Sequence, residues 1–365
     1  MTITATPPRP RDVPTRTTLT SGQLALWAPW ALLLVAVGIM LAVFGILAIG
    51  GGEPLNIAGW LVSSALVYLV LIFTISTIIE SRRKAVDRLV TGVVASAFLI
   101  AMVPLISVAW TVIVNGLARL DAEFFTYSMR NVVGEGGGAL HAIVGTLLIT
   151  GMAALISIPI GLMAAIYLVE YGEGKRVARG ITFLVDVMTG IPSIVAGLFA
   201  YALFALFFGP GIRMGFMGSI ALAVLMIPVV VRSTEEMLRL VPNELREAAY
   251  ALGVPKWRTI VKVVLPTSIA GITTGVMLSI ARVIGETAPL LITAGFTNSM
   301  NYDLFDGRMQ TLPVFTYTEY ANQGIPPEAY TDRAWTAALT LILIVMVLNL
   351  VARVVARVFS PKTGR

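Results

Sequence analysis

Cysteine is absent from all 365 residues, and His141 is the single histidine. These absences exclude a disulfide framework, a thiolate nucleophile and any Cys/His metal site. Charge is scarce as well. Asp, Glu, Lys and Arg make up 13% of the chain, about half of the ~25% usual in soluble domains. There is no G-x-x-x-x-G-K-[ST] run, so the chain carries no phosphate loop of its own. What is abundant is apolar: 57% of residues are hydrophobic and mean hydropathy is +0.87. Too little polar surface remains to cover a soluble body. Apolar runs longer than the roughly 18 residues that mark a membrane-crossing helix recur along the chain. The expected fold class is an all-α polytopic membrane protein.

The net charge of +6 and pI of about 9.7 would suggest nucleic acid in a soluble protein. Here the distribution of charge reads as topology, and no nucleic-acid partner is expected. Residues 1–22, rich in Thr, Pro and Arg, read as a disordered arm. Apolar spans follow at about 27–49, 57–79, 90–115, 139–169, 181–208, 216–237, 266–296 and 334–358. Eight spans put both termini on one side. Of the 26 Lys and Arg, 20 fall on that side and five on the other (Arg119, Arg130, Arg213, Arg308 and Arg333), leaving Arg282 within a span. The positive-inside rule makes the rich side cytoplasmic. The basic stretch SRRKAVDR, 81–88, looks like a junction. It divides the chain into the arm, two N-terminal helices over 23–89, and a six-helix part over 90–365.

The cytoplasmic segment 241–266 reads VPNELREAAYALGVPKWRTIVKVVLP. Asn243 is placed to cap a helix. Leu245, Ala248, Ala249 and Leu252 form an apolar stripe at i, i+3, i+4 and i+7. Gly253 is suited to a left-handed cap, and Leu265-Pro266 is expected to mark the turn back into the membrane. Pattern alone leaves two readings open, an ordinary interfacial helix or a helix that docks a partner. The full spacing, Glu247-Ala248-Ala249, Gly253, Val263, Leu265-Pro266, resembles the EAA loop of ABC importer permeases. Val263 stands where that pattern usually has Ile. The resemblance implies a coupling helix that seats in a groove on a separate ATP-hydrolysing subunit. Glu247, Ala248, Ala249, Gly253, Leu265 and Pro266 would then be the ATPase-coupling residues.

In SIARVIGETAPLLI, 279–292, Arg282 and Glu286 lie four residues apart within an apolar run. Arg282 is about 16 residues from Pro266, roughly 24 Å at 1.5 Å per residue. A charge at that depth costs about 2.5–3.5 kcal/mol on insertion scales. One reading is an intrahelical i,i+4 pair that neutralises itself. The other is a face lining a polar pathway, with the arginine fork suited to oxyanions. Gly285, Thr287 and Pro289 weaken a helix there, and irregular backbone at this depth is tolerated beside a cavity or within protein.

The stretch VRSTEEMLRLVPNELREAAYALGVPKWRTIVKVVLPTSIAGITTGVMLSIARVIGETAPLLITA is similar to the PstA-type permeases of phosphate ABC importers. So are MTGIPSIVAGLFAY, 188–201, and TLPVFTY, 311–317. The similarity covers about 90–360, and the two N-terminal spans depart from the family's six-helix core. It implies a type I-like permease and a substrate pathway through Arg282 and Glu286, with Arg232 as a weaker candidate. Arg232 otherwise reads as a positive-inside anchor. The resemblance further implies a second, PstC-like permease, a PstB-like ATPase dimer that binds ATP and Mg, and a PstS-like phosphate-binding protein. It implies no cofactor, metal or catalytic residue in this chain, and a plasma (inner) membrane location in a prokaryote. Importers of sulfate, molybdate or organic solutes, and a secondary transporter without an ATPase, remain as alternatives. Elsewhere, His141 reads as an interfacial residue, Glu235-Glu236 with Arg239 as a solvated face, and Asp186 as an interfacial group with a basic neighbour. The polar and aromatic segment 298–333 reads as an outer loop that either folds on itself or docks a soluble binding protein.

Overall fold

The computed structural model describes residues 24–51 and 55–359. The arm expected over 1–22 lies outside them, as do Lys362 and Arg365. The regular structure of the described residues is helical, with no strand among them, and the chain divides into two compact units, 1–109 and 110–365.

In the first unit α1 (Ala28–Gly51) packs along α2 (Ile57–Ile79), and α3 (Arg82–Gly116) begins. α1 is apolar on all sides, as a helix bathed in lipid should be. Asn56 caps α2 by accepting from the Gly59 N–H at 2.9 Å. The turn into α3 is tied by Glu80. Its carboxylate accepts from Arg88 Nε at 2.7 Å, Arg88 Nη2 at 3.0 Å, the Ser76 hydroxyl at 2.7 Å and the Leu24 N–H at 3.1 Å. The Arg88 guanidinium and these donors hold the Glu80 carboxyl well below the usual carboxylate range, at about 2. A groove of about 750 Å³ opens beside this turn, between apolar walls that include Leu26, Trp30 and Leu33.

The second unit runs from the end of α3 through α4 (Ala122–Thr126) to α5 (Leu140–Ile166), which a π-turn at Tyr167–Tyr171 extends. α6 (Arg176–Thr189) and α7 (Ser193–Phe208) follow, then α8 (Gly215–Arg239) and α9 (Asn243–Ala251). α10 (Lys256–Thr259), a second π-turn (Ile260–Val264) and α11 (Leu265–Val283) make one helical run. α12 (Ala288–Thr293), α13 (Leu312–Ala321) and α14 (Pro327–Phe359) complete the unit. α8 is central and packs against α5, α6, α7, α11 and α12. Lipid is as apolar as leucine, so small residues and shared polar groups must hold such helices together. The Ser219 hydroxyl donates to Ile149 O at 3.1 Å, and Gly161 admits Val230 so closely that a Cβ would sit 2.6 Å from it.

Seven helices among the described residues are long and apolar enough to cross a membrane, and α6–α7 makes an eighth if its bent halves count as one span. That pair corrects the expected straight span 181–208. The chain bends by 110° between α6 and α7, at Gly190-Ile191-Pro192. Proline offers no N–H to the helix and biases the residue before it away from helical geometry. Leu265-Pro266 also differs from expectation. It lies inside a helical run from Lys256 to Val283, not at a turn. The π-turn just before it widens the coil where the Pro266 ring would strike the preceding carbonyls.

Candidate functional site

The expected span 266–296 is interrupted at the two charges. α11 ends at Val283 and α12 starts at Ala288, with Ile284–Thr287 out of the helix. Arg282 lies on the last turn of α11, and Glu286 lies in the break. The intrahelical pair is therefore not formed. Among the described residues, neither Arg282 nor Glu286 has an ion-pair partner within 4.0 Å or a side-chain hydrogen bond. Arg282 is exposed on the chain, Glu286 is half-buried, and open space surrounds Gly285. Behind the break, α12 is seated on α7. Gly197 meets the Pro289 backbone so closely that a Cβ would lie 2.6 Å from its Cα. The arrangement presents an uncommitted guanidinium fork and a carboxylate, on irregular backbone, at a face this chain leaves open. Such a face can bind an oxyanion weakly and release it.

The third pathway candidate is committed elsewhere. Arg232 on α8 pairs with Asp186 on α6, and its Nη1 donates to Glu235 Oε2 at 2.9 Å. Glu235 is buried and also accepts from Arg239 at 2.7 Å. The expectation of a solvated face at Glu235 is therefore wrong. This carboxylate is the buried link between two arginines, and Asp186 has the basic neighbour expected of it.

In the segment 241–266, expected to be cytoplasmic, α9 begins at Asn243 with Pro242 as its N-cap residue and no side-chain cap bond. Asn243 does not cap the helix as expected; its Oδ1 accepts from Arg246 at 3.3 Å. The C-terminal end follows the sequence. Gly253 adopts φ +74°, its N–H donates to Tyr250 O at 2.9 Å, and the Val254 N–H donates to Ala249 O at 3.1 Å. That is the Schellman pattern. Glu247, Ala248, Gly253 and Pro266 are exposed, Leu265 is half-buried, and Ala249 faces inward. Leu245, Ala248 and Leu252 leave an apolar strip open on α9.

Two side chains lie where sequence reasoning did not place them, and one segment is folded into the core. Arg333, counted as an outer-side charge, is 0% exposed. It donates to Glu319 at 2.7 Å and to the carbonyls of Gly134 at 2.6 Å and Gly136 at 3.2 Å, and it stacks 4.5 Å over the Tyr330 ring. Gly134 and Gly136 sit at positive φ, so only residues without a Cβ hold this loop easily. Burial raises the Glu319 carboxyl above its ordinary value, with Arg333 opposing that shift. His141 is buried, not interfacial; its Nε2 lies 3.3 Å from Gln310 Oε1. The segment 298–333 contains α13, whose Leu312–Phe315 turn is core. For Arg333 and His141 the signal was a polar residue beside an apolar helix end, which does not say which face is buried.

The family of binding-protein-dependent transport system inner membrane components matches residues 157–365. Among curated relatives, the phosphate transport system permease protein PstA 1 of Mycobacterium tuberculosis (strain H37Rv) is 48% identical over 277 residues, 75% of this chain and 88% of that protein. The PstA protein of Pasteurella multocida is 40% identical over 285 residues, 78% of this chain and 97% of its own length. An inward-facing structure of the MetNI methionine ABC transporter shares the fold, with a TM-score of 0.50 at 18% identity over 61% of this chain and 96% of that one. The chain belongs to the binding-protein-dependent transport permeases and, within them, to the PstA permeases.

Proposed function

We propose that this chain is the transmembrane permease subunit of an ATP-driven importer of inorganic phosphate. The observation that carries this reading is 48% identity to a PstA phosphate permease over most of both chains. The unpaired Arg282 in a helix break supports it with suitable chemistry. The chain forms the pathway together with a second, related permease across its open face. Two ATPase subunits bind ATP and Mg and dock at α9 through Glu247, Ala248, Ala249 and Gly253, with Leu265 and Pro266 at the root of the segment. A phosphate-binding protein delivers substrate from outside. Both termini are cytoplasmic, residues 90–365 form the permease core, and the two helices of 23–89 are an addition to it. ATP hydrolysis belongs to the partner ATPase, and this chain contributes no catalytic group.

The test is ATP-dependent uptake of labelled phosphate into vesicles holding the four components, with sulfate and molybdate as competitors. Wild type is expected to accumulate phosphate alone, and Arg282→Gln to assemble but not transport. Uptake of a competitor in place of phosphate refutes the substrate. Wild-type rates in Arg282→Gln refute the pathway role of the guanidinium.

A further inference from the structure

Arg246 and Glu247 are neighbours on α9 and differ in exposure. Glu247 is exposed, whereas Arg246 turns back into the chain with only 12% of its side chain exposed. Its Nε and Nη2 donate to the same oxygen of Glu170, at 3.0 and 2.8 Å. Nη1 donates to Val241 O at 2.7 Å and to Asn243 Oδ1 at 3.3 Å, and Nη2 also donates to Leu238 O at 3.0 Å. Glu170 is 4% exposed. One guanidinium thus joins the end of α8, the start of α9 and the π-turn that closes α5. The charged, forked geometry is of the kind that fixes orientation as well as proximity.

A second contact reaches the same π-turn. Lys256, the first residue of α10, lies 5.0 Å from the ring centroid of Tyr171. Both cytoplasmic helices are therefore anchored on Tyr167–Tyr171. α9 has little other hold on the bundle: of its nine residues only Ala249 is buried. Its remaining routes inward run along the chain: back through 240–242 to α8, and on through α10 and the Ile260–Val264 turn into α11, whose last turn carries Arg282. Movement of α9 has three ways into the membrane: covalent ones to α8 and α11, and an ionic one to α5.

We propose that Arg246–Glu170 is the positioning pair that makes α5 follow α9, so that displacement of the docking helix moves α5 and α11 together. Arg246 and Glu170 touch neither ATP nor substrate and act through the helices they join. The inference rests on the reading that α9 docks an ATPase.

The experiment measures ATP hydrolysis and phosphate uptake in the same proteoliposomes of the complete importer. In Glu170→Gln, ATPase subunits are expected to co-purify and hydrolyse ATP within twofold of wild type, while uptake per ATP falls at least tenfold. Arg246→Lys, which keeps the charge and loses the fork, is expected to fall between. A merely structural role would lower both rates together and leave their ratio unchanged, and that result overturns the proposal. Glu170→Cys/Arg246→Cys supplies a second measurement. The chain has no other thiol, and wild type serves as the control for thiols on the partners. A bifunctional methanethiosulfonate linker is expected to restore at least half of the ratio, and dithiothreitol to abolish it. If the linked double variant stays as uncoupled as the unlinked one, the tether is not what Glu170 and Arg246 supply. A wild-type complex that neither holds an ATPase nor transports fails on the function reading instead.

Discussion

Replacing Arg333 with methionine keeps much of the side chain's length and removes a guanidinium that has no exposure to solvent. In the native chain this group satisfies Glu319, whose side chain is 12% exposed, and the carbonyls of Gly134 and Gly136. The variant leaves the carboxylate buried without its cation. Breaking a buried pair by removing one partner costs about 3–5 kcal/mol. Each kcal/mol lowers Tm by about 2–4 °C in a unit of this size, so the expected loss is roughly 6–20 °C in detergent. Removing the partner as well, in Glu319→Gln/Arg333→Met, should recover more than half of that loss, because the stranded charge is the larger part of the cost. The pH dependence carries a definite sign. Glu319's folded pKa is raised, so its native state takes up a proton more readily than the unfolded chain. Arg333→Met removes the opposing cation and extends that shift. The variant should therefore gain stability relative to wild type as pH falls from neutral toward the ordinary glutamate value of about 4.3. Thermal unfolding of the four combinations across that range is the assay. An Arg333→Met loss below about 1 kcal/mol, or a double variant no better than the single, refutes the claim that this pair is load-sharing and buried.

Two further outcomes follow from local geometry. Gly253→Ala meets no steric obstacle, since nothing lies within 4 Å of its Cβ, but it must hold φ +74°. The expected cost is about 1–2 kcal/mol of local conformational energy, read as weaker ATPase co-purification with membrane insertion unchanged. Normal co-purification would refute a docking role for that cap. Glu80 has a folded pKa depressed to about 2, so its stabilising contribution is complete above the ordinary glutamate value and is lost as pH falls from there toward 2. Acid unfolding of the wild type in that window should steepen relative to Glu80→Gln, and identical profiles would sink the assignment.

The parts of the fold legible from sequence are those set by single-residue chemistry. Apolar runs located the membrane helices because each must be apolar over its own length whatever it packs against. Gly253 announced the end of α9 because only glycine takes that φ without cost. Direction was not legible. Hydropathy is blind to a 110° bend, so Gly190-Ile191-Pro192 passed as the middle of a span. Burial of charge was not legible either. Arg246 meets Glu170 across 76 residues of sequence, and Arg333 meets Gly134 across 199. No local pattern ties such partners. The pathway candidates split for the same reason. Arg232 found partners on α6 and its own helix, whereas Arg282 found none among the described residues.

The break at Ile284–Thr287 can be explained and therefore tested. In a continuous helix, Pro289 would leave the Gly285 carbonyl without its donor and press its ring against it. Proline costs about 3 kcal/mol and glycine about 1 kcal/mol relative to alanine within a helix. An i,i+4 pair between Arg282 and Glu286 returns about 0.5 kcal/mol at a surface, too little to anneal the two halves. Pro289→Ala removes the greater of the two obstacles to a continuous helix, and its smaller side chain still fits against Gly197. The helix should then run through, bring Glu286 over Arg282, and cancel the free fork that the pathway reading requires. Hydrogen exchange across 284–291 should slow as the amides find helical acceptors, and phosphate uptake should fall at least tenfold in an assembled complex. If exchange slows and uptake does not change, pairing Arg282 is harmless and the guanidinium is not a transport group. If exchange stays fast, proline is not what holds the break open, and the seat of α12 on Gly197 must be doing so instead.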